Sequence, residues 1–218
     1  FKTKDDFGDM DCLVSYPLDE GVDIKELIQK LFQPDEILKN DDVYSFNYGL
    51  NNNKNFQIDL IVCRDYYKSA VFYMSSGDMG NLLGRIAFSK GLVLGHKVGL
   101  AVRYETNTDN YLPHITLTTE PKEILEYLGV SYERYLQGFE SEREIFDFAL
   151  SSPYFDGTLY DETIIYNVNG KERPSMNNEN RMRNAKRPFY INFVEYITNS
   201  GMIKVNRLGY NYLEKSLK

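Results

Sequence analysis

The sequence predicts an α+β protein: a mostly antiparallel or mixed sheet with flanking helices, then a small C-terminal helical region. Three observations carry that expectation. Apolar, β-branched runs bounded by turn residues recur between residues 7 and 119 and read as strands. Stretches with apolar residues at helical spacing lie between and after them. NNNKN at 51–55 joins two strand-like runs as a hairpin would.

In order, residues 7–16, FGDMDCLVSY, form a strand closed by Pro17. Residues 23–32 put Ile24, Leu27, Ile28 and Leu31 on one side of a short helix that Pro34 ends. Residues 42–50 and 55–63 are the hairpin strands. Residues 66–74 read as another strand, and Ser75-Ser76-Gly77-Asp78 as a turn. Residues 81–90 are helical and stop at Gly91. Residues 97–104 and 114–119 are short strands. Residues 122–128 form a short helix ending at Gly129, and 141–150 another, with Ser141 and Glu144 spaced as a capping box. Residues 167–180 are polar, with Gly, Pro and adjacent Asn, and read as a loop. Residues 185–197 read as one helix with Phe189, Phe193, Tyr196 and Ile197 on one side.

The chain has 218 residues, enough for one large domain or two small ones. No apolar run reaches the ~18 residues of a membrane span, and no signal peptide is recognisable, so no membrane partner is expected. Cys12 and Cys63 lie in apolar runs; they read as buried thiols in the cytoplasm or another reducing compartment. His96 and His114 lack metal-ligand spacing, which argues against zinc. The net charge of −7 argues against a generic nucleic-acid binder, but it is unevenly spread. Residues 168–218 hold 10 Lys and Arg against 4 Asp and Glu, a basic tail on an acidic body.

The chemistry starts at Gly8-Asp9-Met10-Asp11. Residues i and i+2 of a strand share a face, so Asp9 and Asp11 point one way and Met10 and Cys12 into the core. Adjacent acids repel; a divalent cation would hold them together. Asp59 lies inside the apolar run FQIDLIV, where an unpaired carboxylate costs several kcal/mol by rough reckoning. Three strand carboxylates converging on one spot can hold two Mg²⁺ ions about 4 Å apart, which activate a hydroxyl and stabilise a leaving oxygen. Otherwise the two acids mark a surface strand end.

The wording around these acids is more specific. GDMDCLVSYP resembles the GDMD-containing strand of the family X DNA polymerases, the polymerase-beta-like nucleotidyltransferases. Asp59 matches that family's third metal carboxylate. Residues 65–78 with Asn81 and Arg85 are similar to its YFTGS…FN…R segment. AFSKGLVLGHKVGL at 87–100 and EPKEILEYLGVSY at 120–132 resemble the segments that follow. The match is collinear over roughly residues 5 to 135.

The resemblance implies roles. Asp9 and Asp11 would bind both metals; Asp59 would bind the catalytic metal and help activate the 3′-hydroxyl. Gly8 would let a backbone N–H reach the triphosphate. Tyr73 would lie against the nucleotide's sugar beside the Ser76-Gly77 turn, Asp78 and Asn81 would contact its base, and Arg85 the template. The same residues also admit structural roles: Tyr73 in the core, Arg85 on a solvated helix face, Asn81 as a cap. There are departures. The family's Gly-Ser element before the first acids is missing, and an upstream segment or a second chain is one source of it. Lys2 and Lys4 fall near its basic triphosphate contact, Phe7 replaces a small hydroxyl residue, and Gly77 is displaced by one.

In the tail, Arg181, Arg183, Lys186 and Arg187 accompany Phe189, Tyr190 and Phe193, a mix that suits a phosphate backbone and stacked bases. A helical cap with a basic outer face has the same pattern. The expected organisation is a palm over 1–74, a nucleotide-contacting subdomain over 75–136 and a basic helical extension over 137–218. The expected activity is transfer of a nucleoside monophosphate from an NTP or dNTP to a polynucleotide 3′-hydroxyl with two Mg²⁺ ions, DNA or RNA being the nucleic-acid partner. The alternatives are transfer to tRNA or a small acceptor, and an inactive relative serving as a binding subunit.

Overall fold

The acidic residues lie on a four-stranded sheet. The computed structural model describes residues 8–15, 22–50, 54–103, 114–160, 165–168, 171–174 and 178–202. Strand β1 (Asp9–Val14) leads to helix α1 (Ile24–Phe32), and then come β2 (Ile37–Asn40), β3 (Val43–Leu50) and β4 (Lys54–Val62). The order is β1-β4-β3-β2; β1 and β4 run parallel and the other pairs antiparallel. Asp23 caps α1, accepting from the Lys25 N–H at 2.8 Å. Ile24 and Ile28 then pack on Ile37, Tyr44, Phe46 and Val62, covering one face of the sheet.

Helix α2 (Tyr67–Met74) and helix α3 (Met79–Ser89) follow, then an antiparallel sheet of β5 (Leu92–Gly95), β6 (Gly99–Arg103) and β7 (His114–Thr118). Helices α4 (Pro121–Tyr127), α5 (Tyr132–Leu136) and α6 (Glu142–Leu150) come next, with a 3-10 turn at Gly157–Tyr160. A hairpin of β8 (Ile165–Val168) and β9 (Lys171–Pro174) precedes α7 (Asn178–Asn184) and α8 (Pro188–Asn199). The fold is thus mixed α+β.

The largest buried cluster runs from α2 to α8 and includes Phe72, Leu83, Ile86, Leu125, Phe146 and Phe193. Residues on both sides of position 136 contribute to it. Burial of each large apolar side chain stabilises by about 1.5–3 kcal/mol. The two sheets are also tied by polar groups. Lys97, in the β5–β6 turn, pairs with Asp41 and, at 2.8 Å, with Asp42, and the Tyr66 hydroxyl donates to Asp42 at 2.9 Å.

Three sequence expectations are corrected. Residues 66–74, read as a strand, are mainly helix α2. Tyr66, Ala70 and Met74, four apart, meet Ile61 and Cys63, while Phe72 enters the main core and Lys68 faces solvent. A strand would have put Lys68 and Phe72 on the face of Ala70. Residues 167–180, read as a loop, contain part of the β8–β9 hairpin and the start of α7. The helix expected over 185–197 begins at Pro188, because proline has no N–H to bond inside a helix and fits its first turn. Strands β2 and β5, helix α5 and the 3-10 turn were not anticipated. Ser141 does accept from the Glu144 N–H, but the Glu144 carboxylate takes the Glu140 N–H, so the capping box is half formed. Cys63 is buried as expected and Cys12 is half-buried. Lys2, Lys4, Phe7, Pro17 and residues 51–53 of the expected turn lie outside the described residues. No helix among the described residues is long and apolar enough to cross a membrane.

Candidate active site

The parallel pairing of β1 with β4 sets the register of the acids. Asp11 is directly opposite Asp59, and Asp9 is opposite Gln57. Cross-strand partners share a face. Asp9, Asp11 and Asp59 therefore stand on one face, the first two on the edge strand β1 and Asp59 on its neighbour β4, and Ser45 of β3 extends the Asp11–Asp59 row. One row further along, Leu13, Val43 and Ile61 of the same face are covered by α2. The polar end of this face is left to the acids; α1 packs on the opposite face.

Gln57 donates to one oxygen of Asp59 at 2.9 Å. That bond fixes the carboxylate's rotation. Sequence reasoning missed Gln57, although its i, i+2 relation to Asp59 was a usable signal. The Asp11 carboxyl is held above the ordinary range. Partial desolvation is the main cause; the negative charges of Asp9 and Asp59 add to it and Arg187 offsets it. The three acids thus repel one another across a short distance of sheet. Hard carboxylate oxygens on adjacent strands are the donor type that Mg²⁺ takes, and the strain on Asp11 is of the sign that a cation relieves. Among the described residues, however, no group of three or more His, Cys, Asp or Glu is already gathered around one point. Met10, expected in the core, is exposed; it is not among the residues packed in the cluster under α1.

A Cβ on Gly8 would meet nothing within 4 Å, so no contact among described residues requires glycine there. The turn after α2 carries Ser76, and Gly77 adopts φ +57°, a conformation that favours glycine. Tyr73 packs on the backbone of Gly80 and near His96. Burial pushes its phenol up, with Arg183 and Arg187 pulling it down and Asp78 adding to the rise. Desolvation likewise holds His96 below the usual imidazole range.

The structure brings the tail to these residues. Arg187 forms an ion pair with Asp78, and the Asn81 amide donates to Asn184 at 3.1 Å. Both residues that the resemblance assigns to the base thus already have partners from the C-terminal segment. Arg85 donates to the Leu159 carbonyl, at 3.0 Å from Nε, and stacks on Phe88. Arg181, Arg183 and Lys186 are exposed and Arg187 is half-buried. Phe189, Tyr190 and Phe193 are buried against Phe146 and Tyr160, which corrects the expectation that they stack on bases. They form the cap's apolar face, while Arg181, Arg183 and Lys186 look outward. No family model matches the chain, and neither does any curated protein.

Proposed function

We propose that the chain is a polymerase-beta-like nucleotidyltransferase, which moves a nucleoside monophosphate from an NTP or dNTP to a polynucleotide 3′-hydroxyl. One observation carries the reading: the β1–β4 register that sets Asp11 opposite Asp59, with Asp9 on the same face. The four collinear sequence resemblances support it. In this reading the first sheet is the palm. Two Mg²⁺ ions held by Asp9, Asp11 and Asp59 would supply the charge that activates the acceptor hydroxyl and offsets the leaving pyrophosphate.

The chain's own residues then do the positioning. Gln57 fixes one oxygen of Asp59, and the second is assigned to the acceptor hydroxyl. Gly8, with open space where a Cβ would stand, is assigned to the nucleotide's triphosphate. Tyr73, Ser76 and Gly77 form the wall for the sugar. Arg181, Arg183 and Lys186, exposed on the tail, take the phosphate backbone of the acceptor.

A second reading is transfer to tRNA, another RNA or a small hydroxyl acceptor without a template. It is favoured by Arg85, whose guanidinium is committed to the Leu159 carbonyl rather than turned to a template. The test is incubation with Mg²⁺, a labelled primer–template and each NTP or dNTP, beside Asp59→Ala. Template-matched extension that falls at least about 100-fold in Asp59→Ala supports the first reading. Untemplated addition with the same loss supports the second. No transfer to any acceptor refutes both and leaves a binding subunit; transfer that survives Asp59→Ala refutes the site built on Asp59.

A further inference from the structure

We infer that Arg187 is the residue through which this chain grips the polyphosphate of its nucleotide, exchanging Asp78 for phosphate when the nucleotide enters. The inference rests on the nucleotidyltransferase reading above and adds to it the residue that holds the polyphosphate.

Three placements carry it. First, Arg187 is 109 positions from Asp78 in sequence, yet the two form an ion pair beside the turn that the reading assigns to the nucleotide. Asp78 is at the N-cap of α3 but makes no capping bond to that helix; its carboxylate is spent on Arg187. Second, the Asn81–Asn184 bond pins the same tail segment to α3, and Arg187 is half-buried where it meets Asp78. Third, Ser76, Gly77 and Asp78 are consecutive, so the guanidinium paired with Asp78 stands next to the wall for the sugar.

A polyphosphate carries several negative charges and cannot settle beside three carboxylates unless cations face it. Arginine suits that task, because its planar fork meets phosphate oxygens two at a time. Among the described residues Asp78 is the carboxylate that pairs with this half-buried guanidinium, and a phosphate can replace it. A phosphate group offers it the same kind of oxygen with more charge. A purely structural Arg187–Asp78 latch predicts the reverse: removing Asp78 would loosen the tail and weaken every ligand.

The test measures binding by calorimetry with inorganic tripolyphosphate, an NTP, the matching nucleoside and an unphosphorylated single-stranded oligonucleotide, on the full chain. The variants are Arg187→Gln, Arg187→Lys, Asp78→Asn and Asp59→Asn, each first shown by thermal melting to be folded. Arg187→Gln should weaken tripolyphosphate and NTP at least about tenfold and leave the nucleoside unchanged. Arg187→Lys should fall between. Asp78→Asn should tighten tripolyphosphate, because the competing carboxylate is gone. Unchanged or weakened binding in Asp78→Asn overturns the exchange. So does an Arg187→Gln loss confined to the oligonucleotide, which would assign Arg187 to a nucleic-acid backbone. Tripolyphosphate that fails to bind the wild type also overturns it. Asp59→Asn separates the two proposals. If the wild type transfers nothing, or transfer is intact in Asp59→Asn so that the site built on Asp59 is wrong, the reading above fails at that point, whatever Arg187 binds. If transfer is lost in Asp59→Asn and Arg187→Gln binds tripolyphosphate normally, only the Arg187 inference fails.

Discussion

Two glycines of α3, four positions apart, should respond to alanine with opposite signs. At Gly80 an added Cβ would stand 2.4 Å from the Tyr73 carbonyl oxygen and 2.8 Å from two atoms of its ring. The oxygen is backbone, so α2 and α3 must part for the methyl to fit. At Gly84 the nearest atom is the Leu94 carbonyl oxygen at 3.8 Å, an ordinary contact. Alanine is worth up to about 1 kcal/mol over glycine inside a helix, less in the first turn, where Gly80 lies. Overpacking costs about 1–3 kcal/mol. Gly84→Ala should therefore stabilise by roughly 0.5–1 kcal/mol, and Gly80→Ala should destabilise by about 1–2. At roughly 2–4 °C per kcal/mol for a chain of this size, their melting temperatures should differ by about 3–12 °C. The assay is thermal unfolding followed by far-UV circular dichroism, with urea midpoints as a check. Equal or higher melting temperatures for Gly80→Ala than for Gly84→Ala would refute the close approach of α2 to α3, and with it the placement of Tyr73.

Asp11→Asn should raise the melting temperature in Mg²⁺-free buffer by about 1–2 °C, since exposed like-charge contacts are worth about 0.5 kcal/mol. The sign follows from the raised Asp11 carboxyl: the folded state holds the proton more tightly, so stability falls as pH climbs from the ordinary aspartate value of 3.8 through the raised one. The gain should vanish below pH 3, and added Mg²⁺ should stabilise the wild type but not the variant; a stability loss in Asp11→Asn at pH 7 would contradict this. Lys97→Ala should cost up to about 1 kcal/mol at pH 7. Lys97 and Tyr66 hold the Asp42 carboxyl below 3.8, so that contribution is complete above 3.8 and lost as pH falls through the lowered value. Urea midpoints of wild type and variant should converge near pH 2, and a constant gap would sink the argument. Phe193→Ala empties a site shared with Phe146, Phe155 and Tyr160 and should cost about 3–5 kcal/mol, read as a melting temperature lower by roughly 6–20 °C. A loss below about 1 kcal/mol would mean that α8 does not close the core.

The acids were legible because a strand's side-chain period is two and nothing nearby competes with it. Asp9 and Asp11 had to share a face, and the apolar run around Asp59 had to be a strand. Their meeting was expected only from the family resemblance, because a parallel pairing between strands some forty residues apart leaves no local trace in the sequence. The hairpin expected from residues 51–55 did forecast the β3–β4 partnership. Helix α2 was misread because Tyr66, Tyr67, Val71, Phe72 and Tyr73 are all types that strands favour, and tertiary packing outweighed that preference. Gly80 gave no signal, since its demand comes from Tyr73 on another helix. The tail's aromatic spacing identified a buried face, but composition could not say whether bases or Phe146 would cover it.

The charge asymmetry acquires its meaning only in the fold. An acidic body with a basic tail could be two solvated surfaces with no bearing on each other. Here α8 buries Phe189, Tyr190, Phe193 and Ile197 in the main core, and that burial sets where α7 and Arg187 must lie. The same helix thus fixes the core and delivers the positive charge to an acidic edge that repels itself. Stability of the cap and electrostatics of the site are then coupled. A substitution deep in α8 should be felt at Asp11 and Asp78 even though it touches neither. One that removes only the Arg187 charge should leave the aromatic core as it is. Phe193→Ala and Arg187→Gln therefore probe different links of one chain of cause, from packing to charge placement to ligand.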